Sequence, residues 1–414
     1  MTPTRTTLAV AACAAVFAAI GTGCVGADDV TVRPATSATG PSRAGSDGHR
    51  AKSAGAANPA TTTTSTTAPD RVPTDRRTLA LKATLTEGDL SPKSIVASAD
   101  GLFFAQNMIY SHNVAVFDRS LKLVKTIPDS VDLAAFGIDG HPGISKGGPV
   151  EMAFTHDGDH AYVSQYQMYG KGFTRPGDDK CAKQTPSGPT AWDDSYLYRI
   201  DTHSLTIDQV IEVGPVPKYV AVTPDDRTVL VSNWCGYDVS VVDTATGRQT
   251  RRVPIGRYPR GIVVSPDSKT AYVAVMGSSD IAVVDLGTFE VDWIRGIGRG
   301  PRHLVLSPDG SALYATLNRA GQVVRIDTKT RTVTGRVASA GEPRSMAISH
   351  DGASLYVVNY DAGALSKVRT SDMTQLQRLP TNHHPIGVTY DPVDHRAWVA
   401  CYGGTIQVFD DKAS

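Results

Sequence analysis

Five basic residues each stand immediately after a proline: Lys93, Lys218, Arg260, Arg302 and Arg344, and the last four lie 42 residues apart. Guanidinium and ammonium groups brought to one place make an anion site, because planar forks and point charges both suit carboxylate and phosphate oxygens. The same regularity also fits a plainer reading, in which a repeat favours a basic residue at one position for turn and packing reasons. Histidines 141, 303, 383 and 384 and the aromatics Trp234, Tyr237, Tyr258 and Tyr360 fall at neighbouring positions of the repeat. These could stack against a ligand or only against one another.

Other chemistry is poorly supported. Gly143–Gly147 spells G-x-S-x-G, but that nucleophile motif needs a strand-turn-helix elbow and no helical periodicity follows it here. There is no phosphate loop, EF-hand loop, H-E-x-x-H pair or dinucleotide fingerprint. No C-x-x-C or Cys/His pair has zinc spacing, so neither a metal nor a cofactor is expected. The 41 basic residues balance the 41 acidic ones, which argues against a surface that seeks nucleic acid or adheres to membranes by charge.

The elements that must position these residues follow from the period. Asp226, Ser268, Gly310 and Gly352 close the turns VTPDD, VSPDS, LSPDG and ISHDG at intervals of 42, and TYDPV, ending at Val393, keeps the register. Each unit reads as a proline-led strand, a tight turn, an apolar strand carrying an aromatic, an alternating strand and a fourth strand. Four strands in about 42 residues, with no sustained 3.6-residue apolar period, is the pattern of a propeller blade. Two earlier copies, at Thr155 and Ser98, lie 68 and 57 residues before their successors, so about 26 and about 15 residues are inserted. The insertions fall near 165–195, between strands b and c, and near 129–148, between strand d and the next strand a. Both kinds of connection open on the face that carries the basic residues. The fold expected is therefore all-β: a seven-bladed β-propeller with four-stranded blades. Its last blade lacks a strand after His383, and the run Arg77–Leu85 supplies it, closing the ring and hiding its edges.

The segments YVVN (Tyr356 to Asn359) and LVSN (Leu230 to Asn233), together with the SPDG turns, resemble the YVTN-repeat family of seven-bladed propellers over about 77–411. That resemblance implies an extracytoplasmic protein of the bacterial lipoprotein type. The fold also resembles that of bacterial lactonases and streptogramin lyases, which implies a hydrolytic or lyase site at the channel mouth as the alternative function.

Residues 1–24 read as a secretory signal, with Arg5, the apolar stretch Leu8 to Ile20, and Cys24 at its end. The ending resembles a lipobox, which makes Cys24 the acylated residue, although Gly21 stands where Leu, Val or Ile is usual and leaves plain secretion or a retained anchor open. Residues 25–76 are rich in Ala, Thr, Ser and Pro, with Thr61 to Thr67 reading TTTTSTT, and are expected to form a disordered tether. The propeller then occupies 77–414. In an exported chain, Cys181 in the b–c insertion can reach Cys235 one blade on, and Cys401 remains a buried thiol. The expected protein is a monomer, held on the outer leaflet of a bacterial cytoplasmic membrane or secreted. It acts as a binding or scaffolding module for a protein or for an anionic small molecule or glycan.

Overall fold

A computed structural model of the chain describes residues 72–181, 184–185, 188–189 and 192–413. The expected signal segment, Cys24 and nearly all of the tether lie outside them. Seven four-stranded antiparallel sheets succeed one another along the chain. Their innermost strands, called a, are Pro92–Ala97, Pro149–Phe154, Pro217–Val222, Pro259–Val264, Pro301–Leu306, Pro343–Ile348 and Pro385–Asp391 for blades 1 to 7. Each strand a packs against those of its two neighbours, and the first against the seventh, so the inner strands form a closed ring. Blade 7 takes its outer strand from the other end of the chain, where Arg77–Leu85 pairs antiparallel with Thr405–Ala413.

Strand composition follows position. Inner and middle strands are covered on both faces by flanking blades, and Ser354–Asn359 and Ala312–Leu317 are buried at every residue; this is why they read as continuous apolar runs. The outer strand Thr332–Ala338 alternates half-buried and exposed, as a rim strand must. Aromatics fill the wedges between blades: Phe103 stacks on Trp398 at 3.8 Å between blades 1 and 7, and Tyr356 on Tyr390 at 4.7 Å between blades 6 and 7.

The turns after strand a share one device. Ser265, Ser307 and Ser349 donate their hydroxyls to the aspartate two residues on, at 2.6, 2.5 and 2.6 Å. The turn's last residue is left-handed in each case, with Asp226, Ser268, Gly310 and Gly352 at φ 57, 59, 71 and 69°. At the opposite end, the asparagine closing strand b ties the loops together. Asn233 donates to Asp238 at 2.6 Å and to Ser240 at 2.8 Å, and Asn107 donates to Asn113 at 2.7 Å while accepting from the Ser91 amide at 2.8 Å.

Two features shape the face bearing the basic residues. In all seven blades the pairing of strands a and b slips just after the leading proline, a bulge of the kind that re-aims a side chain. The residue before that proline is left-handed in five successive blades, at Val216, Tyr258, Gly300, Glu342 and His384, with φ between 40 and 72°. For a non-glycine residue that conformation costs about 1 kcal/mol or more, and such strain gathers at functional loops. The two insertions lie on this same face. Residues 130–146 form a small hairpin, Ser130–Asp132 with Ile144–Lys146, around a 3-10 turn at Leu133–Phe136. A bridge between Lys146 and Tyr169 joins that hairpin to the second insertion.

Candidate functional site

The repeat register stacks three tiers around the channel mouth. The first residue after the proline of strand a contributes Lys93, Val150, Lys218, Arg260, Arg302, Arg344 and Ile386. The next residue contributes Ser94, Glu151, Tyr219, Gly261, His303, Ser345 and Gly387. The residue after the end of strand b contributes Met108, Tyr166, Trp234, Met276, Asn318, Tyr360 and Tyr402. The basic tier converges. Lys93 lies within electrostatic range of Arg260, Lys218, Arg302 and Arg344, and burial together with those four cations holds its pKa well below the ordinary lysine value.

Support for the five cations divides them. The buried Lys218 ammonium pairs with Asp179 of the second insertion and lies 4.0 Å from the Tyr166 ring centroid. Burial lowers its pKa to about 7, opposed by Asp179 and aided by Arg260. Arg344 pairs with Glu342 at 2.9 Å and lies 3.5 Å over the Tyr360 ring, which itself stacks on His384 at 4.1 Å. Arg260, Arg302 and Lys93 make no ion pair or hydrogen bond among the described residues; Arg260 lies 6.0 Å from the Trp234 ring and Lys93 5.3 Å from the Tyr402 ring. Arg260 and Arg302 are each only 6% exposed. Burial, then Arg260 and Arg344, push the Arg302 guanidinium well below its ordinary value. A π face steadies a cation without cancelling its charge, so this collar is held in place yet left electrostatically open.

The other anticipated residues fall into two groups. Trp234 stacks on Tyr258 at 4.6 Å, with Tyr237 edge-on at 5.7 Å, beside Lys218 and Arg260. His383 and His384 lie 3.6 Å apart on the blade 6–7 side. His303 sits one tier deeper against Tyr219, at 5.3 Å, where burial and then Arg302 and Arg260 push it down to about 3, so it is neutral. His141 stands apart from the collar. It stacks on Phe173 at 4.0 Å, beside Tyr196, in a cleft between the two insertions that also holds Asp193, Asp194 and Glu212. Ser145 of the G-x-S-x-G match is buried in a three-residue strand with no helix after it, so no nucleophile elbow exists there.

Glu151 is a candidate site residue that sequence reasoning missed. It shares the second tier with His303, and burial raises it to about 7 against the pull of Arg260, Arg302 and Lys93. Its signal was its register, masked because blade 2 carries Val150 where its neighbours carry a basic residue. Asp179 was missed too. Enclosure by the mouth pushes its pKa up, and Lys218, Arg260 and Lys93 bring it below the ordinary carboxylate value. The insertion reaches that place because Cys181 is disulfide-bonded to Cys235 and Trp234 Nε1 donates to the Asp179 carbonyl at 3.0 Å. Cys401 is a buried free thiol, raised to about 12 chiefly by burial. On the opposite rim His160, Asp201 and Asp208 group their ligand atoms within 4.8 Å, but Arg199 already holds both Asp208 oxygens at 2.9 Å.

A model of the YNCE-like beta-propeller family matches residues 207–411. Match and ring together fit a YVTN-type propeller. Among solved structures, hydrazine synthase of Kuenenia stuttgartiensis superposes with a TM-score of 0.61 at 19% identity, covering 80% of this chain and 98% of that one. At that identity the likeness shows the fold alone. No curated protein matches the sequence.

Proposed function

We propose that this propeller is a binding module whose ligand is an anion seated at the channel mouth, with Arg260 and Arg302 as its main contacts. One observation carries the reading: two guanidiniums, each 6% exposed, make no ion pair or hydrogen bond among the described residues, and the carboxyl that acts on both, Glu151, is itself raised to about 7. A largely buried guanidinium without a close partner is costly, and a fold that merely used arginine for packing would pair it. The strained pre-proline residues and the bulges at this rim support the same conclusion, since both re-aim side chains. Binding of inorganic phosphate to the wild type and to Arg302→Ala, followed by calorimetry, tests it. Charge-assisted hydrogen bonds of about 1.5 to 3 kcal/mol each predict a roughly 10- to 100-fold weaker complex with the fold intact. Equal affinities would sink the assignment.

In the same proposal, the module is held on the outer leaflet of a cytoplasmic membrane through acylated Cys24, a reading supported by the signal-like residues 1–24 and the Ala/Thr/Ser/Pro-rich stretch after them. Cys24→Ala is then expected to move the protein from the membrane fraction to the medium, and unaltered retention would refute the anchor. A second reading, a hydrolytic propeller, draws on Glu151: a carboxyl near pKa 7 beside two guanidiniums suits general acid or base work. Turnover of lactones by the wild type, lost in Glu151→Gln, would favour it over simple binding.

A further inference from the structure

The five collar cations are not equivalent. Lys218 has Asp179 and Arg344 has Glu342. Lys93, Arg260 and Arg302 have no ion pair or hydrogen bond from their side chains among the described residues. Their blades are 1, 4 and 5, and in a ring of seven, blades 4 and 5 are both three steps from blade 1. Lys93 therefore faces the gap between Arg260 and Arg302 across the axis. Arg260 and Arg302 both act electrostatically on Lys93, and Arg260 acts on Arg302. With every group ionised, five positive charges face Asp179, Glu342 and Glu151, leaving two uncancelled. The ring groups near the three are uncharged: Tyr219 and neutral His303 below, and Trp234 and Tyr402 above.

Resting on the anion-binding reading above, we propose that the site takes a compact dianion of the phosphate-monoester or sulfate class, clasped across the channel axis between Arg260 and Arg302 on one side and Lys93 on the other. A monocarboxylate would cancel half of the excess charge and could not meet both sides at once. A tetrahedral group with three or four oxygens can accept from two guanidinium forks while presenting another oxygen to the ammonium. The site also sets a proton linkage. In the empty collar, burial and the four other cations hold Lys93 well below its ordinary pKa; a dianion reverses the local potential and favours the charged amine. Where Lys93 of the empty site is uncharged, binding therefore takes up a proton, and affinity falls as pH rises through the lysine's pKa in the complex.

Calorimetric titration of the full chain with sulfate, inorganic phosphate and acetate, at one ionic strength and in two buffers of different ionisation enthalpy, tests this directly. Sulfate and phosphate are expected to bind at least about tenfold more tightly than acetate, with proton uptake at pH 8.5. Lys93→Met should weaken sulfate about tenfold, leave acetate within about twofold and reduce the uptake to what Lys218 contributes, whereas Lys93→Arg retains the sulfate preference. Acetate binding as tightly as sulfate in the wild type would overturn the dianion assignment and leave the anion site standing. An unaltered sulfate-to-acetate ratio in Lys93→Met would do the same; should that variant not fold, Lys93→Gln replaces it. Absence of binding by all three anions would overturn the anion site itself.

Discussion

The residues that hold this protein closed and those that give it a site obey opposite rules. At the closure, the Lys367 ammonium and the Asp411 carboxylate are fully buried and 2.6 Å apart; Lys367 also donates to the Arg77 carbonyl at 2.9 Å, and Tyr356 donates to Asp411 at 2.5 Å. Every charge there is answered. At the mouth, Arg260 and Arg302 have no ion pair among the described residues. Removing one partner of the closed pair leaves a lone buried charge, so Lys367→Met is expected to destabilise by about 3 to 5 kcal/mol, while changing Lys367 and Asp411 together to apolar residues costs much less. Denaturant unfolding of the two single variants and the double variant measures this coupling, and additive losses would contradict it. None of the pairing was legible in the chain, where Lys367 and Asp411 are far apart and look like ordinary surface residues. The collar was legible, because its members repeat at 42. Its division into answered and unanswered cations was not, since that depends on Asp179 and Glu342 arriving from loops.

At the scale of the element, the bulge after each leading proline and the left-handed residue before it are copied with the repeat, and the side chains they aim differ from blade to blade. The strands, the seven blades and the Arg77–Leu85 closure were readable because short apolar runs and turn residues recur on a fixed register. The insertions were readable only as extra length; local pattern says nothing about the path of residues 166–181, which is set by contacts with Trp234 and Cys235. The Cys181–Cys235 link spans a sequence separation of 54. Cys235→Ser is therefore expected to lower stability by about 2 to 4 kcal/mol. Because the bond also holds Asp179 against Lys218, the variant should bind phosphate more tightly, its internal competitor having been loosened. A thermal melt and a phosphate titration on the same sample check both; unchanged affinity would mean that Asp179 does not compete.

Across the whole molecule, ring closure turns seven weakly cohesive sheets into one unit. Blade 7 would otherwise expose the edge of Thr405–Ala413, so deleting residues 77–85 should yield a protein that self-associates or precipitates, seen as loss of the monomer peak in size-exclusion chromatography. The same closure sets seven copies of one position around an axis, which is how residues from Lys93 to Arg344 come to share a site. With 41 basic and 41 acidic residues overall, attraction of an anion to this protein has to come from the mouth and not from its general field. The central claim is thus a statement about place. A crystal grown with tungstate, a heavy tetrahedral dianion, and measured at an absorption edge would locate it. The account predicts an anomalous peak on the channel axis, within hydrogen-bond reach of the Arg260 and Arg302 guanidiniums and on the Lys93 side of them; peaks confined to the outer rim, with the axis empty, would contradict it.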